Sequence, residues 1–108
     1  MPTYNKLVRD HIPEIIEQTG KAYKTVILTE AAYILELKKK AQEELKEYLE
    51  SQNDEEAIEE LADLLEVVHA LAKVHGSSIE KIESIRQKKA ETRGGFQDRI
   101  FLIDVDDE

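Results

Sequence analysis

Apolar residues recur along most of the chain at the three- and four-residue spacing of an amphipathic helix. The pattern predicts two long helices joined by the polar turn Ser51-Gln52-Asn53, one from Glu30 to about Glu50 and one from the turn to His75. Thr29 is placed to cap the first. Asn53, with Glu56 three residues on, has the spacing of a capping box for the second, and Gly76 supplies its stop. On the first helix Ile34, Leu37, Ala41, Leu45 and Tyr48 make the core stripe. On the second, projected at about 100° per residue, Ala57, Ile58, Leu61, Leu64, Leu65, Val68, Leu71 and Ala72 form a wide apolar arc that Val67 and Val74 extend. So short a connection makes the helices antiparallel neighbours. The arc is wider than a helix hairpin can cover, so part of it is expected against a third helix and part against another subunit.

The remaining elements are shorter. Ser77 with Glu80 is a second capping-box candidate, opening a third helix through Ile79, Ile82 and Ile85 to about Glu91. Near the start, Asp10 is placed to cap a short helix that tolerates Pro13 in its first turn. Ile12, Ile15 and Ile16 give it an apolar side, and Gly20 ends it. Residues 22–28, AYKTVIL, and 99–105, RIFLIDV, are β-branched and aromatic enough to read as strands, expected to pair as a small two-stranded antiparallel ribbon. Residues 104–108 form an acidic tail. The expected fold is mainly α, a single domain over residues 1–108 built as an antiparallel helical bundle with that ribbon.

Composition narrows the function. A formal net charge of −9 argues against a nucleic-acid polymer as partner. With no cysteine there is no disulfide, thiol nucleophile or cysteine-based zinc site. No apolar run is long enough to cross a membrane and the N-terminus is not a signal peptide, so a cytoplasmic location is expected.

The candidate chemistry lies in carboxylates on the two long helices. Glu44/Glu47 and Glu60/Asp63 are each three residues apart, so each pair projects from one side of its helix. Glu60 falls inside the extended apolar arc and Asp63 at its far edge, whereas Glu59 and Glu66 point away with Lys73. Glu44 flanks the stripe of the first helix, and Glu47 lies further round on the same side. An ionised carboxylate on an apolar stripe is costly unless paired or coordinated. Two readings stand open on the residues alone: solvated or salt-bridged faces, or four carboxylates converging on a hard divalent cation such as Mg²⁺.

Basic residues sit in two places. Lys6 and Arg9 flank an apolar N-terminal segment, where they either pair with the acidic helices or hold phosphate oxygens. Arg86, Lys88, Lys89 and Arg93 close the third helix, suiting its C-terminal dipole or a polyphosphate. Gly94-Gly95 follows, a turn able to bring bare backbone N–H groups to an anion. His11, His69 and His75 have no ligand-spaced partners and read as structural or surface residues.

Three blocks of the chain resemble the all-α nucleotide pyrophosphohydrolase superfamily, the MazG-like and phosphoribosyl-ATP pyrophosphohydrolase-like group. The acidic block, Glu43-Glu44-Leu45-Lys46-Glu47 with Glu60-Leu61-Ala62-Asp63, is similar to the group's Glu-Glu-x-x-Glu and Glu-x-x-Asp. YNKLVRDHIPEII at the start and KAETRGGF near the end resemble one phosphoribosyl-ATP pyrophosphohydrolase-like subgroup. The resemblance implies Mg²⁺-dependent hydrolysis of a nucleoside triphosphate or related nucleotide between the α- and β-phosphates, with Mn²⁺ as a substitute ion. It implies Glu44, Glu47, Glu60 and Asp63 as metal ligands, Glu43 as a supporting motif residue, and a homodimer or homotetramer. The chain departs from the wider pattern in having no tryptophan, so Tyr4, Tyr33 or Phe96 is left to meet the base.

Mg²⁺ beside such carboxylates holds phosphates and lowers the pKa of bound water. Glu47 or Glu43 is then the candidate proton acceptor, and Lys6, Arg9, Lys88 and Arg93, with the Gly94-Gly95 turn, are the candidate phosphate contacts. Phosphoribosyl-ATP hydrolysis is the alternative within the class. A non-catalytic helical oligomerisation module is the alternative outside it.

Overall fold

A computed structural model describes residues 2–107. Met1 and Glu108, the outer ends of the N-terminal segment and the acidic tail, lie outside the described residues. Four helices follow one another: α1 (Ile12–Gln18), α2 (Glu30–Leu49), α3 (Asp54–Val74) and α4 (Ile79–Arg93). The predicted long helices are α2 and α3, packed against each other as a hairpin, and α4 packs against α3.

The hairpin is local in origin. Thr29 holds extended backbone and its hydroxyl accepts from Ala32 N–H at the start of α2. Asn53 Oδ1 accepts from Glu56 N–H at 2.9 Å, and the Glu56 carboxylate accepts in return from Gln52 N–H at 2.9 Å. The reciprocal pair therefore reaches one residue further back than a standard capping box. At the other end of α3, Gly76 N–H donates to Lys73 O and Ser77 N–H to Ala72 O, with Gly76 at φ 69°. This is a Schellman stop, and it needs the left-handed residue that glycine supplies without strain.

Two expected caps are corrected. Ser78, not Ser77, caps α4, its hydroxyl accepting from Lys81 N–H at 3.1 Å. Ser77 is already committed to closing α3, so the first residue free to stay extended is the next one. Nor does Asp10 cap α1: His11 occupies the N-cap position and makes no side-chain cap bond. Pro13 in the first turn has no N–H, which removes one of the donors a capping side chain serves.

The expected ribbon is also absent, for there is no strand among the described residues. Residues 22–28 and 99–105 carry no ladder and are largely exposed, with Ile27 at 97% and Phe101 at 88%. A two-stranded ribbon is marginal in water unless a further layer covers one face, and neither segment has such a layer.

Burial is concentrated where α2 and α3 cross. Leu37, Val67 and Ala72 are the buried apolar residues, with Ile34, Ala41, Tyr48, Leu64, Val68 and Leu71 half-buried around them. α4 covers only part of the α3 arc, leaving Ile58, Leu61 and Leu65 exposed. The molecule is long, 64 × 35 × 26 Å, with a radius of gyration of 18.7 Å. A closed domain of this length has about 13 Å.

Candidate metal centre

The α2–α3 hairpin brings three of the sequence-selected carboxylates together. Glu44 and Glu47 lie one turn apart on α2, and Glu60 faces them from α3. One oxygen from each lies within 4.8 Å of the others. Glu44 is the innermost, only 6% exposed, and the sole buried charged residue among those described. Its Oε1 lies 3.4 Å from Lys40 Nζ, one turn back on the same helix. Its Oε2 is enclosed without a hydrogen-bond partner, as is Glu60 Oε2. Glu60 is half-buried and Glu47 exposed, so the cluster opens to solvent on the Glu47 side.

The electrostatics follow from this enclosure. Burial pushes the Glu44 carboxyl above its ordinary value, the neighbouring Glu47 adds to the rise, and Lys40 opposes it. Glu47 is likewise raised, by burial first and then by Glu60 beside it. Glu44 and Glu47 are thus both harder to ionise, by burial first and by a neighbouring acid second. Hard oxygen donors, mutual repulsion and unpartnered buried oxygens are an arrangement that could hold a metal ion. Lys40 meets the demand in part, being 3.4 Å from both Glu43 Oε1 and Glu44 Oε1.

The other candidates fall in different places. Asp63, next on the Glu60 side of α3, is outside the three-oxygen group, and its Oδ1 accepts from Arg9 Nη2 at 2.8 Å. Lys6 Nζ is 3.8 Å from Glu43 Oε1 and lies over the Tyr4 ring. Both N-terminal cations therefore pair with the acidic helices, one of the two roles open to them from sequence. Lys88, Arg93, Gly94 and Gly95 lie in and beyond the last turns of α4, exposed, and among the described residues no ion pair joins them to the carboxylates. Phe96 and Tyr4 are exposed and Tyr33 is half-buried. His69 lines a groove with Leu65, Ile79 and Glu83, and none of Glu44, Glu47 and Glu60 lines it.

Lys40 is the residue that sequence reasoning missed. Its signal was present, a lysine four residues before the glutamate on the inner face. The sequence also left open which carboxylate Arg9 would meet, since that contact spans 54 positions. In comparisons with known proteins, no family model, no curated protein and no solved structure matches this chain.

Proposed function

We propose that this chain is a Mg²⁺-dependent nucleotide pyrophosphohydrolase. It hydrolyses a nucleoside triphosphate or related nucleotide at the α–β anhydride, giving a monophosphate and pyrophosphate, with Mn²⁺ able to replace Mg²⁺. The observation that carries the reading is Glu44, a buried carboxylate with one oxygen unpartnered, facing Glu47 and Glu60. A carboxylate in that position is costly unless a cation completes it. The resemblance of the acidic blocks and of the two flanking blocks supplies the reaction class.

Glu44, Glu47 and Glu60 would hold the ion, with Asp63 as the further ligand the resemblance implies. A bound ion supplies charge reversal toward phosphate oxygens and an acidified water. The side chains supply position and proton transfer. Glu47 is exposed at the open edge of the cluster, where it can meet a water and take its proton. Glu43, paired with Lys40 and Lys6, is placed to support that edge. Lys6 and Arg9, paired with Glu43 and Asp63, are the first candidates for phosphate oxygens. Lys88, Arg93 and the Gly94-Gly95 turn stay candidate phosphate contacts. The proposed setting is the cytoplasm; no helix is long and apolar enough to cross a membrane.

Incubation with a panel of nucleotides and Mg²⁺, with product identification, tests the reading. Pyrophosphate and the matching monophosphate are expected from at least one nucleotide, and Glu60→Gln abolishes their release while leaving the helical content intact. Phosphoribosyl-ATP as the one productive member would assign the alternative within the class. Folded protein that yields no pyrophosphate from any of them would favour the second reading, a helical oligomerisation module. That reading is favoured by the exposed apolar residues on α2 and α3.

A further inference from the structure

We propose that Lys40 restricts Glu44 to a single ligand oxygen and so biases the glutamate cluster toward a small octahedral divalent ion, Mg²⁺ or Mn²⁺, and away from Ca²⁺. This rests on the metal-site reading above and adds a determinant of which ion the site prefers.

Lys40 stands one turn before Glu43 and Glu44 on α2, with its Nζ 3.4 Å from Oε1 of each. Its side chain is only 19% exposed, whereas the cations of the other ion pairs among the described residues are all more open to water. A lysine four residues before a glutamate is the weaker order of that pair on a helix. Helix stability therefore does not account for enclosing this one beside a buried acid.

The contact divides the two oxygens of Glu44. Oε1 faces Lys40, while Oε2 is enclosed with no partner. One Glu44 oxygen lies within 4.8 Å of one from Glu47 and one from Glu60. A carboxylate can meet an ammonium with one oxygen and an ion with the other, since each oxygen has its own lone pairs. Clamping the ion with both is different. That mode draws a dication up to the oxygen already facing the ammonium, where the two positive charges repel. Glu44 is thereby held to one-oxygen ligation through Oε2. Ca²⁺ takes about six to eight oxygens and gathers them readily from two-oxygen carboxylates, whereas Mg²⁺ demands a near-octahedral shell and keeps several waters. A cluster giving one oxygen per glutamate suits the second kind of ion.

One titration of the whole chain tests this. Mn²⁺ binding is followed by electron paramagnetic resonance, and Ca²⁺ is then added to displace it, which gives the ratio of the two affinities. The native chain is expected to hold Mn²⁺ more tightly than Ca²⁺. Lys40→Met keeps a long, helix-compatible side chain and removes the ammonium. It is expected to shift the ratio toward Ca²⁺ by about five-fold, the order of one polar contact. The lost charge acts equally on two dications, so the ratio isolates the freed oxygen. Lys40→Arg, which keeps a cation there, is expected to keep the native ratio. A ratio that Lys40→Met leaves unchanged would overturn the role of Lys40 alone. So would a native chain that holds Ca²⁺ as tightly as Mn²⁺, a result that needs no variant. A native chain that binds no Mn²⁺ at millimolar concentration, or binds it equally well with Glu60→Gln, would remove the metal reading and the selectivity with it.

Discussion

Glu44 concentrates the cost of this fold in one side chain. It is buried with one oxygen unsatisfied, and Lys40 compensates only part of its charge. Both Glu44 and Glu47 have pKa values raised above the ordinary 4.5, so folding favours their protonated forms. In the window between 4.5 and the raised values the folded chain binds more protons than the unfolded one, and stability falls as pH rises through it. Glu83 acts in the opposite sense in a different window. Arg86 beside it lowers its pKa, so its contribution is present above 4.5 and lost only below. Metal-stripped protein is therefore expected to melt higher at about pH 5 than at pH 7. Saturating Mg²⁺ should remove or reverse that trend, because protons and cation compete for the same oxygens. Glu44→Gln is expected to stabilise the stripped protein by about 1 kcal/mol and to abolish stabilisation by Mg²⁺. Thermal melts at the two pH values, with and without Mg²⁺, check all of this. The Glu44–Glu60 convergence was legible because both fall on or beside an apolar stripe. The Arg9–Asp63 contact was not, because nothing local selects one carboxylate among several across such a separation.

At the scale of elements, the site depends on the register of the α2–α3 hairpin, which its turn sets. Asn53 satisfies one of the first N–H groups of α3, and Glu56 reaches back to the Gln52 N–H in the turn; together they fix where the helix starts, hence which of its faces meets α2. Asn53→Ala is expected to cost about 1 kcal/mol, read as a lower urea midpoint at unchanged slope. Helices and stops were legible wherever one residue's chemistry decides them: Thr29, Asn53 and Gly76 act as expected. The α4 cap was missed by one residue because the Schellman closure claims Ser77. The ribbon failed for a different reason. β-propensity in residues 22–28 and 99–105 reports side chains that suit a half-buried pleat, and pairing needs a partner surface that this chain alone does not give them.

For the whole molecule, the question is what covers the apolar surface. Leu45, Leu49, Ile58, Leu61 and Leu65 are exposed on the hairpin, and Ile100, Phe101, Leu102 and Ile103 follow one another exposed in the C-terminal segment. A chain with so small a core and a radius of gyration of 18.7 Å gains little from burial by itself. We propose a homodimer or homotetramer in which hairpins cover one another, as the over-wide arc of α3 suggests. Sedimentation equilibrium is expected to give at least twice the 12.4 kDa of one chain. Leu61→Asp combined with Leu65→Asp should shift the protein toward monomer and lower its melting temperature. A native chain that stays monomeric and folded at micromolar concentration would contradict the proposal.

The central claim, that Glu44, Glu47 and Glu60 share a divalent ion, is tested most directly by crystals grown with Mn²⁺ and measured at the manganese absorption edge. The account predicts an anomalous peak between α2 and α3 at ligand distance, about 2.2 Å, from oxygens of all three glutamates. A map with no peak there, and the three side chains turned apart into solvent or held by Lys40 alone, would contradict it.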